Sequence, residues 1–375
     1  MLIKNCKIIY IDKIEKGSVL IEDGKIKKIN PSHYEGEVFD AKGLYLSPGF
    51  IDIHIHGAGG HDTMEGTYVA LNNISKTIME RGTTSFLPTT MTVSIEEINK
   101  AVRAIKELKD NGAEGANIIG AHLEGPFINL ESVGAQNPQY VLKPSVEGYK
   151  KIVKDCEDVI VSVTLAPELE GSKELIHYLK EKNIICSVGH TKAKYEEVKE
   201  AVNYGISHST HLYNAMTGFN HRDPGCVGAV FDSDITTELI ADGIHIVYPV
   251  LEQTFKIKGT DNIILVSDSM MACCMEDGNY YLGGLDVIVS QGVARLKNGA
   301  LAGSVLTLDK AVKNVYKNCN IPLYEVIKMV TYNPAKYCGI NGYKGIIKEG
   351  YDADLVLFDN DINIERVFIN NNLYN

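Results

Sequence analysis

The sequence predicts an α/β protein in which a (β/α)8 barrel of the TIM type carries a small β-sandwich domain built from both termini. Three observations lead to this prediction. Short apolar runs alternate with helical segments through the middle of the chain. Polar residues able to bind metal or move protons recur where those runs end. Strand-like segments at the two ends of the chain are each too short to bury a core alone.

Size and charge set the class of protein. The chain has 375 residues, of which 45% are hydrophobic and 23% charged, as in ordinary globular proteins. This length suits one large domain with a smaller one. Asp and Glu number 48 against 37 Lys and Arg, so the formal net charge is −11. We therefore expect no nucleic-acid partner, although a local basic cluster can still hold an anionic small molecule.

The cysteines and the apolar segments indicate a cytoplasmic protein. Residues 1–7 lack the apolar core of a secretory signal, and no apolar run reaches the roughly 18–20 residues of a membrane span. None of the eight cysteines forms a Cys-x-x-Cys pair, and their apolar surroundings are typical of buried thiols in a reducing compartment. The adjacent pair Cys273 and Cys274 could be reactive or bind metal, but no neighbour in the sequence completes a site.

The two termini are predicted to pair into one β domain. Residues 17–26 form a predicted hairpin through Asp23 and Gly24, a favoured two-residue turn. The C-terminal segment shows the same pattern of short predicted strands. We therefore expect residues 1–46 and 345–375 to form the small domain, with the catalytic barrel, 47–344, inserted between them.

The middle of the chain supplies the barrel. The predicted strands are 50–56, 84–89, 117–124, 159–166, 184–190, 207–211, 237–243 and 263–268. The predicted helices include 68–81, 95–109, 173–182, 196–204 and 249–256, followed by 304–318 and 322–332 beyond a β-hairpin inserted within 277–303. An open doubly wound sheet is the alternative. It would need a glycine-rich loop leading into a helix, and the run at 57–60 is not followed by a clear helix start.

The first predicted strand ends in two histidines. Because side chains alternate along a strand, His54 and His56 face the same side and could share a metal ion. Taken alone, this pair is equally compatible with a polar loop mouth.

Further polar residues stand at the other strand ends, where barrel enzymes place their catalytic groups. Imidazole and carboxylate are the ligands of hydrolytic Zn²⁺, Fe²⁺ or Mn²⁺ sites, so we predict a divalent metal as cofactor. Zn²⁺ and Fe²⁺ are favoured, with Mn²⁺ and Co²⁺ as alternatives. A carboxylate on the last strand could take a proton from attacking water and return it to the leaving group. The residues concerned are His54, His56, Glu124, His190 and His211 as ligands, and Asp268 as the proton carrier.

Arg222 lies in a glycine- and proline-containing loop after the sixth predicted strand. A guanidinium group matches the geometry of a phosphate, so Arg222 is a candidate anion holder. A solvated surface arginine is an equally good interpretation of this residue taken alone.

Several motifs together resemble the amidohydrolase superfamily and, within it, the N-acetylglucosamine-6-phosphate deacetylase family. They span nearly the whole chain. The more specific ones are His-Leu-Glu-Gly-Pro-Phe at 122–127 and Thr-His-Leu-Tyr-Asn-Ala-Met at 210–216. The others lie at 48–57, 188–191, 240–245, 267–268, 301–304 and 350–356.

The resemblance implies a role for each matching residue. It implies hydrolysis of the N-acetyl group of N-acetylglucosamine 6-phosphate to glucosamine 6-phosphate and acetate, in amino-sugar catabolism and cell-wall sugar recycling. It also implies a homodimer in which His245 reaches the neighbouring site. The implied main metal ligands are Glu124, His190 and His211, the general base and acid is Asp268, and the substrate-binding positions are Gln136, Asn214, Ala215, Arg222 and His245.

Two features vary within the family and stay open at this point. Some members lack the His-x-His pair and keep one metal, so His54 and His56, with Glu124 bridging, could hold a second. Some members have a histidine at the position of Gln136. The Gln136 side chain could donate a hydrogen bond to the amide carbonyl, but it carries no charge. The alternatives to this function are an amidohydrolase for another N-acyl amino sugar or a cyclic amide, and a scaffold protein without activity.

Overall fold

A parallel β-barrel forms the centre of the protein in a computed structural model that describes residues 1–369 and 372–374. Neighbouring strands along the sheet follow chain order, and the segment after the last strand returns to the first strand, where Ser269 forms a parallel bridge with Ile55. The predicted (β/α)8 barrel is therefore confirmed. Its strands are Phe50–Ile55, Thr83–Thr90, Ala121–Glu124, Ile160–Leu165, Ile185–Val188, Ile206–Ser209, Thr236–Ile240 and Ile263–Val266.

Burial explains why these segments form parallel strands. Every residue of Phe50–Ile55 and of Thr83–Thr90 is buried, because side chains on one face fill the barrel and those on the other meet the helices. The helices around the barrel are Tyr68–Met79, Ile95–Asn111, Val146–Val153, Ser172–Glu181, Tyr195–Tyr204, Gly225–Phe231, Tyr248–Lys258, Leu308–Asn318, Leu323–Lys328 and Tyr332–Tyr337.

Several predicted elements have other bounds in the structure. The third strand is interrupted, with Asn117–Ile118 separated from Ala121–Glu124. The sixth strand ends at Ser209, so His211 lies beyond it. The predicted helix 322–332 breaks, because Pro334 has no N–H to donate to Val330, whose carbonyl instead accepts the Ile51 N–H at 2.8 Å.

The terminal segments build a separate β-rich domain, as predicted. Its strands are Leu2–Ile9, Ile14–Glu22, Lys25–Ile29, Val38–Asp40, Tyr45–Pro48, Leu355–Phe358, Ile364–Ile369 and Asn372–Tyr374, and they share one sheet. The predicted hairpin is present, with Asp23 and Gly24 at φ 48° and 70°, as a two-residue turn of this type requires. We propose domain boundaries at 46/47 and 344/345, because Leu46 and Leu355 pack in a core distinct from that of the barrel. The strand Tyr45–Pro48 runs two residues beyond the first of these boundaries.

An inserted three-stranded sheet follows the last barrel strand. It comprises Gly278–Leu282, Leu285–Ser290 and Val293–Leu296, one strand more than the predicted hairpin. Leu282 and Leu301 from this insertion form one wall of the pocket at the barrel mouth. Among the described residues, helices that combine the length and the apolar character needed to cross a bilayer are absent.

Candidate metal centre and active-site pocket

Three site residues occupy equivalent places on their strands. His190, His211 and Asp268 each lie two residues beyond the end of a barrel strand. Each has a left-handed backbone, with φ of 47°, 28° and 47° respectively. Non-glycine residues rarely adopt this conformation, and such strain is typical of functional sites. The turn directs all three side chains to the centre of the barrel mouth.

The first group of ligand atoms comprises Glu124, His190 and His211, all buried. Glu124 Oε1 lies 3.2 Å from His190 Nε2 and 3.0 Å from His211 Nε2. The two Nε2 atoms lie 3.1 Å from each other. Three potential donors of electron pairs therefore converge on one point.

The second group comprises His54, His56 and Asp268, also buried. As predicted from strand alternation, the two imidazoles face the same side, with their Nε2 atoms 3.3 Å apart. Asp268 Oδ1 lies 3.4 Å from His54 Nε2 and 3.2 Å from His56 Nε2.

Glu124 stands between the two groups. Its Oε1 lies 3.4 Å from His54 Nε2, in addition to its contacts with the first group. Its other oxygen, Oε2, lies 3.4 Å from His56 Nε2. One carboxylate is thus within reach of imidazoles from both groups, which is the arrangement that a bridging ligand needs.

Hydrogen bonds at the opposite ring nitrogens orient three of the imidazoles. The Nδ1–H of His54 donates to Glu238 Oε2 at 2.8 Å, that of His56 to the Thr89 carbonyl at 3.2 Å, and that of His190 to the Ser132 carbonyl at 2.9 Å. These oxygens can only accept, so each Nδ1 carries the proton and each Nε2 presents a lone pair to the centre. This is the pattern of metal-binding histidines.

The electrostatics of the cluster favour a cation. Burial by itself lowers the pKa of His54, but the carboxylates of Glu238, Glu124 and Asp268 raise it well above its ordinary value. The Nε2–Nε2 contacts oppose lone pairs unless positive charge lies between them. The donor set, imidazole and carboxylate, therefore fits a divalent cation such as Zn²⁺ or Fe²⁺.

A pocket of about 460 Å³ opens directly above these groups, within the usual size range for small-molecule sites. The residues that line it include His56, Glu124, Gln136, His190, Lys192, His211, Asn214, Ala215, His245, Asp268 and Leu301.

Comparison with known proteins agrees with this geometry. The model of the amidohydrolase family matches residues 45–373. The chain is 40% identical over 363 residues to the N-acetylglucosamine-6-phosphate deacetylase of Lysinibacillus sphaericus, covering 96% of this chain and 94% of that protein. The chain belongs to the amidohydrolase family.

Two further relatives show which members of the amidohydrolase family this chain resembles. The crystal structure of N-acetylglucosamine-6-phosphate deacetylase from Pasteurella multocida superposes with a TM-score of 0.94 at 33% identity, covering 100% of this chain and 99% of that one. The N-acetylgalactosamine-6-phosphate deacetylase of Escherichia coli O157:H7 is 34% identical over 354 residues, covering 94% of this chain and 93% of that protein. This amidohydrolase therefore resembles deacetylases named for two different amino-sugar phosphates.

The structure brings most of the predicted substrate-binding residues to the pocket of this amidohydrolase. Asn214, Ala215, Gln136 and His245 all line it. The Asn214 amide donates to the main-chain oxygens of His211 and Leu212, which fixes its position beside a ligand.

Arg222 and His245 occupy positions that the sequence did not indicate. Arg222 is exposed on its loop and does not line the pocket of its own chain. His245 lines the pocket of its own chain, where its Nδ1 lies 2.7 Å from Asp242 Oδ2.

Gln136 contacts a metal-ligand residue as well as the pocket. Its carbonyl accepts the Thr92 N–H at 2.6 Å, which fixes the orientation of the amide. Its amide then donates to Glu124 Oε2 at 2.5 Å. Gln136 therefore positions the carboxylate between the two groups.

Sequence reasoning missed three residues of this site. Glu238 orients His54, His122 packs beneath the centre with its Nε2 2.7 Å from Thr164 Oγ1, and Lys192 brings a cation to the pocket rim. The position of Glu238 in the predicted seventh strand was the available signal, because an acidic residue in a fully buried strand must have a partner.

Proposed function

We propose that the chain hydrolyses the N-acetyl group of N-acetylglucosamine 6-phosphate, giving glucosamine 6-phosphate and acetate. The observation that carries the proposal is the position of Asp268 in a small-molecule pocket, directly against a cluster of four imidazoles and Glu124. The identity to a deacetylase of this substrate over 96% of the chain supports it. The pathway role we infer is amino-sugar catabolism and the recycling of cell-wall sugars.

We also propose which residues hold the metal and which metal it is. Glu124, His190 and His211 would hold the first cation, and His54 and His56, with Glu124 shared, would hold a second. We favour Zn²⁺ or Fe²⁺, with Mn²⁺ or Co²⁺ as substitutes. A divalent cation there supplies Lewis acidity that polarises an amide carbonyl and makes water more acidic.

The chain's own residues then move the proton. Burial raises the pKa of Asp268 and the neighbouring His54 and His56 lower it, with the net result below the ordinary value. Asp268 is therefore ionised at neutral pH and can accept the proton of the attacking water at a carboxylate oxygen. The same oxygen returns that proton to the departing sugar amine, which completes general base and general acid catalysis with one group.

Substrate orientation follows from the lining of the pocket. Asn214 and Ala215 would contact the sugar, and Lys192 and His245 offer positive charge or hydrogen bonds for the phosphate. Because Arg222 lies outside its own chain's pocket, it would contact the phosphate of a substrate bound in the neighbouring subunit's pocket. Gln136 would position Glu124, one of the residues that would hold the metal, because its amide donates to that carboxylate.

We infer a homodimer whose interface includes the segment around His245. Ile244, Val247 and Val250 next to it are 42%, 53% and 38% exposed, a set of apolar side chains that a second subunit would cover. The expected result in light-scattering chromatography is twice the chain mass of 41.2 kDa. We also retain the prediction of a cytoplasmic enzyme, which the free and mostly buried thiols support.

Metal-dependent release of acetate tests the function. Protein stripped by a chelator should release no acetate from N-acetylglucosamine 6-phosphate, and added Zn²⁺ or Fe²⁺ should restore release with one free amine formed for each acetate. Metal-replete protein that releases neither product would refute the proposal.

A further inference from the structure

The loop that follows Asp268 carries two adjacent thiols that the proposed reaction does not use. Cys273 is fully buried, whereas Cys274 is exposed, with a left-handed backbone at φ 65°. Their sulfur atoms lie 3.9 Å apart. The buried sulfur also points at the main-chain oxygen of Leu306, 3.5 Å away. The Cys274 thiol is therefore exposed to solvent, and the buried Cys273 thiol lies directly behind it.

Positive charge from distant parts of the chain surrounds the exposed thiol. The charge of Arg81, which follows the helix Tyr68–Met79, acts on the Cys274 thiol, and Lys310 adds a second positive charge. The hydrogen bond with Cys273 and the charge of Arg81 lower the pKa of Cys274 below its ordinary value. The pKa of Cys273 is raised, by that same hydrogen bond and by burial. A solvent-accessible thiolate beside a protonated thiol is the arrangement of reactive cysteines with a resolving partner.

We propose that Cys273 and Cys274 form a redox-active dithiol that a hydroperoxide converts into a disulfide between the two adjacent residues. The Cys274 thiolate attacks the terminal peroxide oxygen, the O–O bond breaks, and the alkoxide or hydroxide leaving group takes a proton from water. The Cys273 thiol then attacks the Cys274 sulfur. The S–S bond forms, the S–O bond breaks, and hydroxide leaves with the Cys273 proton as water. The two thiols supply the two electrons that reduce the peroxide.

Geometry makes this disulfide reversible. Adjacent Cα atoms lie about 3.8 Å apart across a trans peptide, below the usual range of about 4.4–6.8 Å for bridged cysteines. The ring would therefore be strained, and strained disulfides are the more easily reduced ones.

The loop also links the thiols to the metal centre. The Ser269 carbonyl accepts the His56 N–H at 2.8 Å, and the Cys273 carbonyl accepts the Gly59 N–H at 2.8 Å. Closing the S–S bond from 3.9 Å to about 2.05 Å must shift the peptide between the two cysteines. We therefore expect oxidation to displace the backbone that carries His56. A loss of deacetylase activity rests on the proposed function, whereas the disulfide itself rests on the thiols alone.

Mass spectrometry of the full, zinc-loaded protein tests the disulfide without an activity assay. Treatment with hydrogen peroxide should lower the mass of the peptide containing 273–274 by about 2 Da, the loss of two hydrogens, and dithiothreitol should restore it. In Cys273→Ser protein, Cys274 should instead be trapped as a sulfenic acid by dimedone. Cys274→Ser should show neither product, and Cys338→Ser should behave like the wild type.

Two results would overturn the proposal. One is an unchanged mass for the 273–274 peptide under peroxide that already labels other thiols. The other is alkylation of Cys274 at pH 7 that is no faster in wild-type protein than in Arg81→Gln, for which we expect about a threefold to tenfold lower rate. If the disulfide forms but acetate release is unaffected in active protein, the link to His56 fails while the redox site stands.

Discussion

The Nδ1–H of His54 donates to Glu238 Oε2 at 2.8 Å, and the same carboxylate oxygen accepts the backbone N–H of His211 at 3.0 Å. The other oxygen of Glu238 lies 3.2 Å from His208 Nε2. One buried carboxylate therefore orients a residue from each of the two ligand groups. A change at Glu238 should consequently affect metal binding although Glu238 lies outside both groups.

Glu238→Gln should weaken metal binding by about 10-fold to 100-fold, the usual effect of removing such an orienting partner. The amide can still accept one hydrogen bond, but it loses the negative charge that favours the Nδ1–H tautomer of His54. Competition with a chelating dye measures the affinity directly. Glu131→Gln, at the rim of the same pocket, is the matched control and should bind metal as the wild type does.

His54→Ala should reduce the metal content from two equivalents to one. His54 is not part of the first group, so Glu124, His190 and His211 remain to hold the first cation. Elemental analysis of protein loaded with excess metal and then desalted gives the count. One equivalent in the wild type, unchanged in the variant, would contradict the bridged arrangement.

Asp268→Asn should lower kcat by about 10²-fold to 10⁴-fold, because an amide cannot take up the proton of the attacking water. The first group of ligands is intact, so the variant should fold and retain at least one equivalent of metal. Steady-state acetate release and elemental analysis on the same preparation test both statements. Retention of more than about a tenth of the activity would refute the assignment of Asp268 as general base.

Lys192→Ala should raise KM for N-acetylglucosamine 6-phosphate by about tenfold with little change in kcat, as expected for loss of one charged contact to a bound group. Lys194→Ala is the matched control, because Lys194 is equally exposed but does not line the pocket. Equal KM values for the two variants would rule out Lys192 as a phosphate contact.

Arg222→Ala tests the contribution of a second subunit. Arg222 lies outside its own chain's pocket, so loss of kcat/KM for the phosphorylated substrate alone would require that this residue reaches the site of a partner. Dilution of the wild-type protein to a concentration below the Kd of the dimer should then cause the same loss of kcat/KM. Unchanged kinetics in Arg222→Ala would contradict its predicted role.

Local patterns predicted most of the fold and the inner site. Short apolar runs located the barrel strands, and strand alternation placed His54 and His56 on one side. The helix break before Pro334 was missed, although a proline without an N–H is a signal that can be found in sequence.

Relationships between distant segments were not predictable from those patterns. Glu238 meets His54 across 184 positions, and Arg81 meets Cys274 only after the barrel closes. Likewise, the sequence did not indicate that Lys192 lines the pocket, nor that Arg222 lies outside the pocket of its own chain. These contacts depend on strand register and loop direction, which no local periodicity encodes.

Specificity constants for three substrates test the central claim most directly, because the relatives include deacetylases named for two epimeric sugar phosphates. Metal-replete protein should give a kcat/KM for N-acetylglucosamine 6-phosphate that exceeds those for N-acetylgalactosamine 6-phosphate and unphosphorylated N-acetylglucosamine by at least about tenfold, or roughly 1.4 kcal/mol of transition-state stabilisation. Equal or faster turnover of either of the other two substrates would contradict the proposed function.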